Sequence, residues 1–106
     1  MSNLVVQSTP DGLNIPSEVM EQAGLRPGRL LELIPLPDAE EIQRLASRHT
    51  VWSLGDCIRV ALPRWSEGVW IVDLLSHDGR EHIGSLFYDA HGHLDDARST
   101  TRETLR

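Results

Sequence analysis

The 106-residue chain has no lysine, one cysteine, one phenylalanine, one tyrosine and no apolar run longer than a few residues. Each shortage excludes something. A single Cys57 cannot close an internal disulfide or build a Cys-rich zinc site, and it suits a reducing compartment. Its setting, Gly55-Asp56-Cys57-Ile58-Arg59-Val60, reads as that of a small buried apolar residue. Without about 18 consecutive apolar residues no segment reads as a membrane helix, and the N-terminal MSNLVVQSTP lacks the basic region and long apolar stretch of a secretory signal. A cytoplasmic address is expected. Basic residues are scarce as well. Ten Arg face sixteen acids, a formal charge of -6, which excludes a protein that wraps a polyanion over its whole surface.

What remains is an ordinary globular balance of 40% hydrophobic and 25% charged residues, which excludes a disordered or collagen-like chain. The length suits one domain, and a compact body of this size buries ~65% of its unfolded surface. Two half-size units would have to borrow core from a partner. Residues 1–37 carry two Arg against four acids, 38–65 four against four, 66–97 one against seven, and 98–106 three against one.

Short β-prone runs at 4–8 and 13–15 flank Thr9-Pro10-Asp11-Gly12, a turn in which Pro presets φ and Gly accepts positive φ. This predicts a hairpin. Pro16 stops its second strand, Ser17 is placed to cap a short helix over EVMEQA, and Gly24 ends it. A turn at Leu25-Arg26-Pro27-Gly28 leads to a strand over 29–34, which Pro35 and Pro37 terminate. The stiff Pro-Leu-Pro of 35–37 is the expected domain boundary. A helix then starts at Asp38, with Glu41 in a capping box, Glu40 and Arg44 as an i,i+4 pair, and Ile42, Leu45, Ala46 and His49 on one face. Leu54, Cys57, Ile58, Ala61 and Leu62 repeat at helical spacing, with Ser53 as cap and Pro63 as stop; alternation over Ile58, Val60 and Leu62 is the competing strand reading. From Val69 the period is two. A turn centred on Asp78-Gly79 places Leu74 opposite Ile83, Val72 opposite Ser85 and Trp70 opposite Phe87, a buried apolar ladder. A further turn at 90–92 leads to a short strand at His93-Leu94, and 95–106 reads as a loose tail or short helix.

The run Gly12-Leu13-Asn14-Ile15-Pro16-Ser17 through Gly24-Leu25-Arg26-Pro27-Gly28-Arg29-Leu30-Leu31-Glu32-Leu33 resembles the AbrB/MazE/SpoVT swapped-hairpin family over residues about 3–36. The shared features are a hairpin Gly, Ile-Pro before a short helix, and Gly-Leu-x-Pro-Gly before an alternating strand. The resemblance implies an obligate homodimer whose interleaved hairpins form one barrel, and DNA binding by a transcriptional regulator or an antitoxin. Basic residues are few in this stretch. Leu13 and Ser17 stand where the family commonly has a basic residue, and Arg26 and Arg29 are the only cations, four per dimer against eight carboxylates. That is a small electrostatic footprint for a duplex.

The expected architecture is therefore α+β and mostly β: an AbrB-like swapped-hairpin dimer over 1–36, a helical connector over 37–65, and a small antiparallel β unit with a polar tail over 66–106. The leading functional expectation is a small DNA-binding regulator of the AbrB/MazE type, antitoxin-like, with Arg26 and Arg29 as DNA-binding residues. The alternative is a swapped-hairpin dimer that has lost DNA binding and serves as an interaction or assembly subunit. Expected partners are a second copy, duplex DNA and, through the C-terminal unit, a protein; no membrane is among them. Neither an enzyme nor a cofactor is expected, because the chain has no nucleophile elbow, phosphate-cradling glycine loop or HExxH spacing. Asp89 with His91 and His93, and His77 with His82, have ligand-like spacing but read first as turn residues. Trp52, Trp65 and Trp70 read as core before binding surface, and Arg98, Arg102 and Arg106 as a solvated terminus.

Overall fold

The computed structural model describes residues 5–106. The chain divides between Ile34 and Pro35 into two compact units. Along the chain come helix α1 (Ser17–Gln22), helix α2 (Ala39–Ser53), strands β1 (Arg59–Val60), β2 (Arg64–Ser66), β3 (Val69–Leu75) and β4 (His82–Tyr88), and a 3-10 turn at Arg102–Thr104. The result is a small α+β protein with an antiparallel four-stranded sheet.

In the first unit Thr9 and Gly12 exchange backbone hydrogen bonds of 2.8 and 3.0 Å across Pro10-Asp11. Helix α1 begins at Ser17 itself, so its cap lies one residue earlier than expected. Pro16, with φ fixed at -59°, holds the cap position and its carbonyl accepts from Met20 N–H, while the Ser17 side chain makes no capping bond. Gly24, at φ 75°, ends the helix in a left-handed conformation. The strands expected at 13–15 and 29–34 do not form in the single chain. A strand needs a second backbone for its N–H and C=O groups, and the described residues provide none here. No residue of 5–34 is buried, and Leu30, Leu33 and Ile34 are 96%, 65% and 77% exposed.

The second unit is organised around α2. Asp38 Oδ1 accepts the Glu41 N–H at 2.9 Å, which satisfies one free donor at the helix start. Glu40 and Arg44 close no ion pair within 4 Å; the described ion pairs all lie in the β region. Ile42, Ala46 and Thr50, at i, i+4 and i+8, are buried. Ile42 and Ala46 join Leu54, Val72, Leu74, Leu86 and Tyr88 in one core cluster. The helix expected as a connector thus packs in the same unit as the sheet. Each fully buried Ile, Val or Leu stabilises the unit by about 1.5–3 kcal/mol.

The second helix expected over 54–62 is replaced by a turn and β1. Helix α2 runs through Ser53, so that residue ends a helix rather than capping one. Leu54 plugs the core, and Gly55 at φ 146° turns the chain away. Arg59 then pairs with Leu75 and Val60 with Leu74. The alternation of Ile58 and Val60 into the core prevails over the helical spacing because β3 supplies hydrogen-bond partners. Cys57, expected to be buried, lies exposed in this turn.

Strands β2 and β3 join through Glu67 and Gly68, at φ 49° and 85°. Both residues carry the positive φ that a tight hairpin turn requires. The β3–β4 pairing begins as expected, with Leu75 opposite His82 and Ser76 N–H donating to Glu81 O at 2.8 Å. Next, Leu74 pairs with Gly84, leaving Ile83 as an extra residue, and Val72 faces Leu86 and Trp70 faces Tyr88. A one-residue slip exchanges the two faces of a strand. Leu86 and Tyr88 therefore enter the core, and the expected Val72–Ser85 and Trp70–Phe87 pairs are corrected: Ser85 and Phe87 take the other face.

The outer edge of β4 is covered by the C-terminal segment rather than left beside a loose tail. Asp95 N–H donates to Phe87 O and Thr100 N–H to Ser85 O, both at 2.8 Å. In return Phe87 N–H donates to Ser99 Oγ at 2.9 Å and Ser85 N–H to Thr100 Oγ1 at 2.8 Å. Gly84 is required by space: a Cβ there would stand 2.7 Å from Thr100 Oγ1. The expected third strand at His93-Leu94 is a single bridge between Tyr88 and Leu94.

The bulged register has a direct test. Leu86→Ala is expected to cost about 2–5 kcal/mol, as for other buried Leu truncations. Phe87→Ala should cost clearly less, as read by urea denaturation. The opposite order would restore the unbulged pairing.

Candidate functional site

Arg26 and Arg29 stand at the two ends of one turn. Pro27 and Gly28, the latter at φ 85°, let Arg29 N–H reach Arg26 O at 3.2 Å. Arg29 Nη1 also donates to Gly24 O at 3.4 Å, which draws its side chain back along the turn. Both side chains are exposed and neither pairs with a described carboxylate. An exposed guanidinium without a carboxylate partner is suited to a phosphate or carboxylate oxygen. The same unit exposes Glu18 and Glu21 on α1.

The bulge brings together a second set that residue spacing did not reveal. His82 Nε2 lies 3.0 Å from Ser85 Oγ and 3.3 Å from Asp73 Oδ1. Ser85 Oγ also donates to Asp73 Oδ1 at 3.3 Å, and Arg64 Nη2 stands 3.6 Å from the same oxygen. A serine, a histidine and an aspartate are thus in contact. Their geometry is not that of a nucleophile relay, which needs one ring nitrogen toward the hydroxyl and the other toward the carboxylate. Here a single nitrogen faces both, so the set is a surface polar network. Its only signal in the sequence is the Asp73–Ser85 pairing, which appears once the bulge is placed.

Asp89, His91 and His93 form a closed turn. Asp89 Oδ1 accepts the backbone N–H of His91 at 2.8 Å and of His93 at 2.9 Å, and Oδ2 lies 3.3 Å from His93 Nδ1. The imidazoles lie nearly parallel, with centroids 6.4 Å apart. His82, which the sequence paired with His77, turns instead to Asp73 and Ser85. Among the described residues no group of three His, Cys, Asp or Glu side chains is arranged to hold a metal ion.

The tryptophans divide. Trp65 and Trp70 meet edge to face at 5.3 Å, and Trp70 packs on the core. Trp52, read as core before binding surface, is 84% exposed on α2. Arg98, Arg102 and Arg106 are all exposed, as expected. Arg98 Cζ lies 4.4 Å from the Phe87 ring centroid, a cation–π contact on the face that the bulge assigns to Phe87. Arg102 lines a cavity of about 310 Å³ between α2 and the C-terminal segment, together with His49, Ser53, Leu54, Leu94, Asp96, Ser99, Thr100, Thr101 and Glu103. Among the described residues no helix is long and apolar enough to cross a membrane.

Comparisons with protein-family models, with curated proteins and with solved structures find no match to this chain.

The Asp89 turn predicts a pH dependence. Partial burial works to raise the Asp89 carboxyl, but the N–H groups of His93 and His91, aided by their imidazoles, outweigh it and hold the carboxyl below its ordinary value of 3.8. A carboxyl depressed on folding contributes stability that is present above the unfolded value and lost as the pH falls through the folded one. Asp89→Asn keeps an acceptor oxygen but removes the charge. Its melting temperature should lie below that of the parent above pH 3.8, and the gap should close as the pH drops further. A gap independent of pH would exclude the charge as its cause.

Proposed function

We propose that this chain is a small DNA-binding regulator of the AbrB/MazE type, built as a homodimer through residues 1–36. The observation that carries the reading is that none of residues 5–34 is buried while Leu30, Leu31, Leu33 and Ile34 stand exposed in one short run. A second copy supplies what is missing. Interleaved hairpins give 13–15 and 29–34 the neighbouring backbones a strand requires and cover the apolar side chains between the copies. The Ile-Pro-helix and Gly-Leu-x-Pro-Gly pattern supports this arrangement. Arg26 and Arg29, exposed and unpaired on one turn, are the side chains assigned to the phosphate backbone, four in the dimer.

A second reading has its own observation. Glu18 and Glu21 are exposed in the same unit, and its carboxylates outnumber its guanidinium groups two to one. On that reading the dimer is an interaction subunit, with a protein partner at the second unit.

Fluorescence anisotropy against duplex DNA from the upstream region of the protein's own gene separates the two. The regulator is expected to bind with a log-log salt slope of about -3.6 for four neutralised phosphates, and Arg26→Ala/Arg29→Ala should flatten it toward zero. Binding that survives the double substitution would move the contacts elsewhere. Absence of binding at about 50 mM salt, where screening is weak, would leave the interaction subunit as the reading.

A further inference from the structure

We infer that residues 95–106 are a strap that opens independently of the core, and that the β4 edge beneath it is a strand-addition site for the same segment of a second copy. Every residue involved belongs to the second unit, so the inference stands apart from the DNA-binding reading.

The edge of β4 is covered by backbone on one count and by side chains on the other. The carbonyls of Ser85, Phe87 and Ile83 accept from the backbone N–H groups of Thr100, Asp95 and Arg106 at 2.8, 2.8 and 3.3 Å. The N–H groups of the same edge meet no carbonyl of the strap. Instead Ser85 N–H donates to Thr100 Oγ1 at 2.8 Å and Phe87 N–H to Ser99 Oγ at 2.9 Å. Two adjacent hydroxyls thus stand in for the backbone acceptors of a neighbouring strand. Donors and acceptors on alternate residues of an edge are what an added strand pairs with. Gly84 adds shape, because a Cβ there would stand 2.7 Å from Thr100 Oγ1 and 3.0 Å from Thr100 Cβ.

The hold on this edge is chiefly polar. Ordering the twelve residues of the strap costs conformational entropy that apolar burial normally offsets, and of this segment only Leu105 packs against the core cluster. Arg98 lies over Phe87 but is exposed, so that contact adds little. On the other side of β4, Leu86 pairs with Val72 and both are fully buried. Opening the strap leaves that core in place, the pattern of a sub-global opening. The uncovered edge then has two donors and three acceptors without partners. The 95–106 segment of a second copy supplies them all, with the Ser99 and Thr100 hydroxyls at the same spacing and the same fit to Gly84. Exchange of an identical element between copies is a low-cost route to association. The closed strap is therefore an autoinhibitory contact that competes with its counterpart from a neighbouring chain.

Hydrogen exchange of the full chain tests the opening. The Ser85 and Phe87 amides, whose acceptors lie on the strap, are expected to be protected at least about a hundredfold less than the Leu86 amide. Equal protection at all three would overturn the inference. A labelled synthetic peptide of residues 95–106 then stands for the second copy, and it contains no first-unit residue, so association through 1–36 cannot produce its signal. Ser99→Ala/Thr100→Ala in the full chain weakens the strap but leaves β4 and Gly84 untouched. By anisotropy this variant should bind the peptide at least about tenfold more tightly than the parent, whose closed strap keeps most edges occupied. Retained protection at Leu86 verifies its fold. Adding Gly84→Ala to the variant should abolish binding, as should Ser99→Ala/Thr100→Ala made in the peptide. No binding to the opened chain would overturn the site. So would binding that survives Gly84→Ala, and equal binding by a scrambled peptide would overturn the assignment to a second copy.

Discussion

Ordering the backbone of one residue costs about 1–2 kcal/mol, and a folded segment recovers this chiefly by burying apolar surface. Residues 5–34 meet that requirement nowhere within the single chain. Their only regular structure is a two-turn helix and one backbone bridge, and none of their side chains is buried. A helix as short as α1 is not stable on its own propensity. If the missing core comes from a second copy, the turn carrying Arg26 and Arg29 is presented twice, as a two-fold DNA site requires.

The second unit depends on a different device. The extra residue at Ile83 reverses the facing of everything between Gly84 and Tyr88. Leu86 and Tyr88 meet Ile42 and Ala46 of α2, while Asp73, Ser85 and His82 gather on the opposite face. Gly84 leaves the space that Thr100 occupies, so the C-terminal segment can lie along β4 and cover an edge that would otherwise template aggregation. One inserted residue thus sets the core, the polar network and the docking of the last twelve residues.

Much of this was legible before the structure, for identifiable reasons. Asp38 at the start of α2, the buried Ile42 and Ala46, the strand period from Val69 and the turn around Asp78-Gly79 follow from local chemistry at fixed spacing. What was not legible depends on contacts far apart in sequence. The stripe of Leu54, Cys57, Ile58, Ala61 and Leu62 suits a helix, and only pairing of Arg59 and Val60 with β3 makes it a strand. Gly84 beside the bulge is its one local sign, and a lone glycine does not fix which residue is extra, so the Ser85–Asp73–His82 set stayed hidden. The C-terminal segment looked like a loose tail because a twelve-residue polar run does not reveal that Ser99 and Thr100 satisfy β4 donors.

The measurement that bears most directly on the shared core is sedimentation of the full chain from micromolar to nanomolar concentration, paired with thermal unfolding over the same range. A core shared between two copies predicts a dimer whose melting temperature rises with concentration, because association is then part of folding. It also predicts that Leu33→Glu/Ile34→Glu, which places charges in that core, loses the dimer and leaves the first unit unfolded. A folded monomer with a concentration-independent melting temperature would contradict the account.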